Sequence, residues 1–199
     1  ERLGLVKVIQ TKIEKDEKLI WMRVIQADEI LEKIEQGKPV EYKNVTVEGD
    51  LDLSKLKKDT DGKFRVRSWI KIENSDILGV VNIENTVIVS TNFKRTNFKG
   101  NFMGMNASFR GRADFERSHF YESASFAHAD FASYTNFKHA QFHKAAYFTS
   151  TKFDINTDFR HACFHREAHF DNMQIFKHIS VTKKILFDEV HFIGDVRFV

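Results

Sequence analysis

Cysteine is almost missing: Cys163 stands alone, so no disulfide can form within the chain. It directly precedes Phe164, on the side of a short strand that should face outward. Proline is equally scarce, with Pro39 the single copy, and glycine is sparse at nine. No Gly/Pro-rich linker therefore divides the chain into loosely tethered parts. No apolar run reaches the roughly 18 residues that a membrane-spanning helix needs. No basic n-region followed by an apolar h-region opens the sequence, and a cytoplasmic location is the expectation. HExxH, GxSxG and Gly-rich phosphate loops are all missing, so neither an enzyme nor a bound cofactor is expected. Histidine is absent from the first 118 residues, although nine follow.

Phenylalanine, by contrast, is abundant at 20 copies, and its placement is regular. Phe93, Phe98, Phe109, Phe115, Phe120, Phe126, Phe131, Phe137, Phe142, Phe148, Phe153, Phe159, Phe164 and Phe170 follow one another at alternating intervals of five and six. Gly104 is the only miss. Two places before these positions stand small residues: Thr91, Thr96, Ala107, Ala113, Ser118, Ala124 and so on to Ala168. An amphipathic helix would need apolar residues three and four apart. Small–x–Phe instead puts two side chains on one side of a very short strand, and the intervening residues must turn a corner. Short strands joined by corners make a solenoid in which each coil buries its neighbour. The small residue leaves room for the Phe ring in a narrow core.

Two intervals of five and two of six give a four-sided coil of about 22 residues. At that spacing Asn92, Asp114, Asn136 and Asp158 form an unbroken Asx column, and Phe93, Phe115, Phe137 and Phe159 form a Phe column. Burying each Phe is worth roughly 1.5–3 kcal/mol, which is sufficient for a core without disulfides or metal. The pattern resembles the pentapeptide-repeat family, in which Ala, Asp or Asn, then Leu or Phe are followed by two variable residues. The Asx position is met at Asn92, Asn97, Asp114, Asp130, Asn136 and Asp158, and the resemblance runs from about 91 to 170. It implies an all-β solenoid, a right-handed quadrilateral β-helix.

Outside the Phe array the reading divides the chain into an N-terminal segment, 1–39, and a β-helix, 40–199. Residues 1–25 allow a hairpin around Lys15-Asp16-Glu17 or a helix, with the balance towards helix. Over 28–36, Asp28 as cap, Ile30, Leu31 and Ile34 as apolar face, and Gly37 then Pro39 as stop predict a short capping helix. The period then appears in aliphatic form at Tyr42, Val47 and Leu53. A polar loop excursion at about 54–68 interrupts it, and Ile72, Ile77, Ile83 and Ile88 resume it. After Phe170 the positions continue as Phe176, Val181, Phe187, Phe192 and Phe198 if one residue is inserted near Asn172. The last coils carry Ile185, Phe187, Val190, Phe192, Val196, Phe198 and Val199 with no helix after them. Such an apolar end invites a homodimer through the C-terminal coils.

The surface column that stands out at spacing 22 is Arg95, Arg117, His139, His161 and Lys183, flanked by Lys94, Glu116, Lys138 and Arg160. A ridge of cations repels itself and suits an anionic partner; the plain alternative is a charged face that keeps the solenoid hydrated. Histidines also repeat at 22, as His139/His161, His143/His165 and His169/His191. Each such pair offers two ligands in a line, short of the three or four a zinc site takes, so no metal is expected. The reading is a non-enzymatic scaffold that mediates protein–protein interaction. The rivals are a binder of nucleic acid or an anionic surface through the basic column, and a structural module fused to an effector elsewhere in a longer chain. Some pentapeptide-repeat proteins mimic DNA to modulate type II topoisomerases, which requires broad negative charge. Residues 91–199 carry 15 Lys and Arg against 11 Asp and Glu, the wrong sign for that.

Overall fold

The computed structural model describes residues 10–15, 18–154, 156–176 and 185–198. It is a parallel β-solenoid with one helix near the N-terminus. From Asn97 onward each coil contributes strands of two or three residues to its sides. On the first side the ladder runs Val45–Glu48, Asp76–Ile77, Asn97–Phe98, His119–Phe120, Gln141–Phe142, Cys163–Phe164 and His191–Phe192. A second ladder passes through Leu51–Asp52, Val81–Asn82, Phe102–Met103, Ala124–Ser125, Ala146–Tyr147, Ala168–His169 and Val196–Arg197. The third and fourth sides belong to one sheet because Thr86–Asn92 runs round a corner, its Val87 pairing with Ser108 and its Thr91 with Ala113.

The coil length predicted from the Phe series is the observed register. Asn92, Asp114, Asn136 and Asp158 are direct neighbours across the fourth side. Phe115, Phe137 and Phe159 lie over Phe93 with ring centroids 5.7, 5.0 and 4.9 Å apart between successive members. Rings on neighbouring sides meet edge to face, as Phe126 does Phe137, so each Phe is stacked within its column and edge-on across the core. Both geometries suit the ring quadrupole. Every Phe from Phe93 to Phe170 is buried.

The alternation of five and six has a structural cause. In each interval of five the corner is a tight turn, for example Ser118 N–H donating to Phe115 O at 3.1 Å and Ala140 N–H to Phe137 O at 2.9 Å. Its third residue has positive φ: Arg95, Asn106, Arg117, His128, His139, Ser150, His161 and Asn172, at 54–59°. The intervals of six turn more widely, with no such residue. The Asx column has its own reason. Asn92, Asp114, Asn136 and Asp158 each accept, through Oδ1, the N–H of the residue two places on, at 2.9–3.1 Å. They fix the entry to the tight corner.

The single miss in the Phe series is an exchange of places. Phe102 occupies the small position, in register with Val81 and Ala124, while Gly104 occupies the Phe position. The Phe102 ring lies 5.0 Å from Phe126, and a Cβ on Gly104 would meet the Ser125 carbonyl oxygen at 2.9 Å and that same Phe102 ring at 3.3 Å. The ring thus fills the space that its neighbour vacates.

Outside the array the sequence expectations need corrections. Gln10–Lys15 and Lys18–Gln26 form an antiparallel hairpin with Lys15 opposite Lys18, not a helix; the Val- and Ile-rich stretches extend the first side, where Lys18–Gln26 pairs in parallel with Val45–Glu48. The helix is Ala27–Glu35, with Gln26 at the N-cap position making no side-chain cap and Asp28 in the first turn. Ile30, Leu31 and Ile34 are its buried face, packed against the first coil. Gly37, at φ +65°, closes it by donating to Ile34 O. The polar excursion is shorter than 54–68: the strand Phe64–Glu73 is already in register with Thr86–Asn92 at Phe64. Asp59 there pairs with Arg65 and Arg67.

At the other end no residue is inserted near Asn172. Ile175 takes the place next to Phe153, and Phe176 is off the column. The extra residues come later: Phe164 pairs with Phe192 and Ala168 with Val196, offsets of 28 where the coils from Thr91 to Phe164 keep 22. Phe187, Phe192 and Phe198 stack on Phe159, Phe164 and Phe170. Phe198 is nonetheless 55% exposed, because no described coil covers it; Ile193, 67% exposed, stands at the outward place after Phe192 that His165 takes one rung earlier.

Candidate functional site

Arg95, Arg117, His139 and His161 are adjacent rungs of one corner, and all four occupy its positive-φ position. The column is thus set by backbone geometry first and charge second. Toward the N-terminus it continues as Asn44 and Asn74, and beyond His161 the rung is Glu189, all again with positive φ. Lys183, expected there from a spacing of 22, lies outside the described residues. The lengthened last coil brings Glu189 into its place, and His161 Nδ1 sits 3.0 Å from Glu189 Oε2.

The flanking charges divide into satisfied and unsatisfied. Lys94 Nζ lies 2.8 Å from Glu116 and 3.8 Å from the fully buried Asp114. The hydrogen bond to Glu116 raises the Lys94 pKa and lowers that of Glu116. Arg160 turns back on Asp158, with Nη2–Oδ2 at 2.7 Å and Nε within 3.1 Å of both carboxylate oxygens. Arg112 likewise pairs with Asp114 and lies 4.9 Å over the Tyr134 ring. Arg95, Arg117 and Lys138 make no ion pair among the described residues. A shallow groove lined by Lys43, Glu73, Asn74, Lys94, Arg95 and Glu116 opens at the N-terminal end of this ridge. The expected ridge of cations is therefore a row of alternating pairs with three free positive heads.

Two of the three histidine pairs stack as expected: His139 on His161 at 4.6 Å and His143 on His165 at 4.9 Å. Burial, followed by the charges of His161, Arg117 and Lys138, holds the His139 pKa below its usual value. The pairing of His169 with His191 is corrected. The longer last coil places His191 beside Cys163 and Arg197 beside His169, and His169 stacks on Tyr147 instead. Cys163 is half-buried, and desolvation pushes its thiol pKa up.

Sequence columns missed the densest cluster, on the first side. Lys99 Nζ lies 3.6 Å over Tyr121, Tyr121 stacks on His143 at 4.7 Å, and His143 on His165. His119 crosses diagonally to His143, with Nδ1 and Nε2 at 3.2 Å, and Gln141 to His165 at 3.1 Å. Lys99, Tyr121, His143 and His165 follow one another at the coil spacing of 22, whereas the two diagonal contacts span 24 residues, one coil plus the two places between strand positions on either side of Phe. A search at 22 alone cannot find these diagonals. Among the described residues no three His, Cys, Asp or Glu side chains converge as a metal site, and no helix is long and apolar enough to cross a membrane.

A sequence model of the family described as Pentapeptide repeats (9 copies) matches residues 90–141, 106–152 and 133–174. No curated protein and no solved structure matches the chain.

Proposed function

We infer a role from the premise that this chain belongs, through residues 90–174, to the pentapeptide-repeat family. It is a non-enzymatic scaffold whose rigid corner presents cations to an acidic protein surface. The carrying observation is that Arg95, Arg117 and Lys138 lack an ion pair while their neighbours Lys94 and Arg160 are neutralised within the molecule. Their backbone positions, about 4.8 Å apart per rung, let these cations meet a partner's carboxylates without breaking internal ion pairs. His139 and His161 extend the ridge, and Lys183 lies outside the described residues.

Reversal of the three free cations (Arg95→Glu, Arg117→Glu, Lys138→Glu) tests the reading. Retention on immobilised heparin, used as a generic polyanion, should collapse, and its dependence on salt should weaken by about two to three in logarithmic slope. The melting temperature should change little, because these side chains are exposed or half-buried. The same triple reversal, assayed against duplex DNA and anionic vesicles, separates the acidic-protein reading from the nucleic-acid and lipid readings. Unchanged heparin retention would make the corner a hydrated face and nothing more.

A further inference from the structure

We propose that His119 and His143 form a two-imidazole site for a late first-row divalent cation, copper(II) before nickel(II) or zinc(II), with water completing the coordination. The geometry selects this pair from all the stacked histidines. An imidazole nitrogen sits about 2.0–2.1 Å from such an ion. Two nitrogens on one ion are then about 2.9 Å apart at a right angle, about 3.4 Å at the tetrahedral angle and about 4.2 Å at most. His119 Nδ1 and His143 Nε2 are 3.2 Å apart, inside that window. His139 and His161 are parallel within 6° at 4.6 Å, and His143 and His165 within 10° at 4.9 Å. Like atoms of those parallel rings lie beyond the reach of a single ion; the His119 and His143 rings are also within 19° of parallel, with centroids 5.5 Å apart, but they are offset so that unlike nitrogens meet.

The pair is also preorganised. His119 N–H donates to Thr96 O at 3.0 Å and His143 N–H to Phe120 O at 2.9 Å, so both Cα atoms belong to the rigid ladder. The His143 ring is held between Tyr121 and His165. In the metal-free chain the two nitrogens share a hydrogen bond; on binding, the imidazole that donates it shifts its proton to its other ring nitrogen, so both facing nitrogens offer lone pairs to the cation and both rings stay neutral. Imidazole suits copper, nickel and zinc, and copper(II) heads the affinity order. The ion would tie adjacent coils together on the first side of the solenoid, which begins directly after the corner that carries Arg117.

Calorimetric titration of the untagged full chain with copper(II) chloride tests the site, together with electron paramagnetic resonance of the loaded protein. The expected result is one ion, hyperfine coupling to two imidazole nitrogens, and affinity falling from copper to nickel and zinc. His119→Gln and His143→Gln should each weaken copper binding at least tenfold, while the double variant His139→Gln/His161→Gln leaves it unchanged. Equal affinity in the wild type and in both single variants would overturn the proposal. So would a spectrum with one nitrogen, or binding weaker than about 1 mM.

Discussion

At the scale of single residues, Phe102 and Gly104 test how the core is specified. Phe102→Ala should cost about 3–5 kcal/mol, since it empties a buried ring position. Gly104→Phe alone forces a second ring into filled space and should cost about 1–3 kcal/mol. The double variant restores the order small–x–Phe of the coils above. Chemical denaturation should find it less destabilised than the sum of the singles by more than about 1 kcal/mol; additivity within about 0.5 kcal/mol would mean that the two places are not exchanged. The same series of positions explains why Gly104 looked like a plain gap in the sequence: the period marks inward places but not which of two inward places carries the volume. Arg117 poses a different question. A non-glycine side chain at φ +57° is strained, and asparagine tolerates that backbone better. Arg117→Asn should hold or raise stability by about 0.5–1 kcal/mol while removing a free cation. A folded, more stable protein that binds heparin less well would show that charge, not backbone comfort, accounts for arginine at this corner.

At the scale of elements, the strand ladders were legible because one inward Phe and one small residue recur per side, whatever lies outside. The hairpin Gln10–Lys15/Lys18–Gln26 was not. Val and Ile suit a strand or a buried helix face alike, and its pairing with Val45–Glu48 is a tertiary fact. The helix was found by its apolar face, but its cap was misplaced onto Asp28 because an acidic residue is favourable both as cap and in the first turn. The basic column was legible in its membership up to His161. Its energetics were not, since whether Arg160 reaches a partner or folds back on Asp158 depends on side-chain reach that spacing does not encode. Among these rungs His139 carries a pH prediction. In the folded chain its imidazole binds a proton only below the ordinary 6.5, owing to burial, then His161, Arg117 and Lys138, with Glu116 opposing. The unfolded chain takes up that proton near pH 6.5 and so holds more protons in the interval between the two values. Stability therefore rises with pH there and is lost as pH falls. The melting temperature should drop from pH 7.5 to 5.5, and His139→Gln should flatten part of that drop. An identical pH profile in the variant would remove His139 from the account.

At the scale of the whole molecule, the coils of 22 residues are bracketed by two longer ones. The first gains residues at the excursion before Phe64, and the last gains them between Ile175 and Leu186, so that Asp158 bridges to Leu186. The sequence showed the first break, because Lys57 to Lys63 is plainly polar. It hid the second, because Phe176 stands one residue from the place the column requires and Ile175 fills that place unremarked. The misreading carried over to His191, since one slip in register moves every later residue to a new rung. The uniform ladder between these breaks has a consequence for how the protein comes apart. Each coil touches only its neighbours, so opening proceeds link by link from an end, and the cost of freeing an amide grows with its distance from the nearer end. In native-state hydrogen exchange the amides of Gln141 and His143, bonded to Ser118 and Phe120 at 2.9 Å each, should be among the slowest. Those of His191 and Ile193 are bonded at equal lengths, 2.9 and 2.8 Å, and should exchange far sooner. Bond length would then be no guide to protection. A bound cation between His119 and His143, or a partner lying across Arg95 to Lys138, would clamp consecutive links and slow the fraying beyond it, so a ligand at the middle of the chain would be felt at its end.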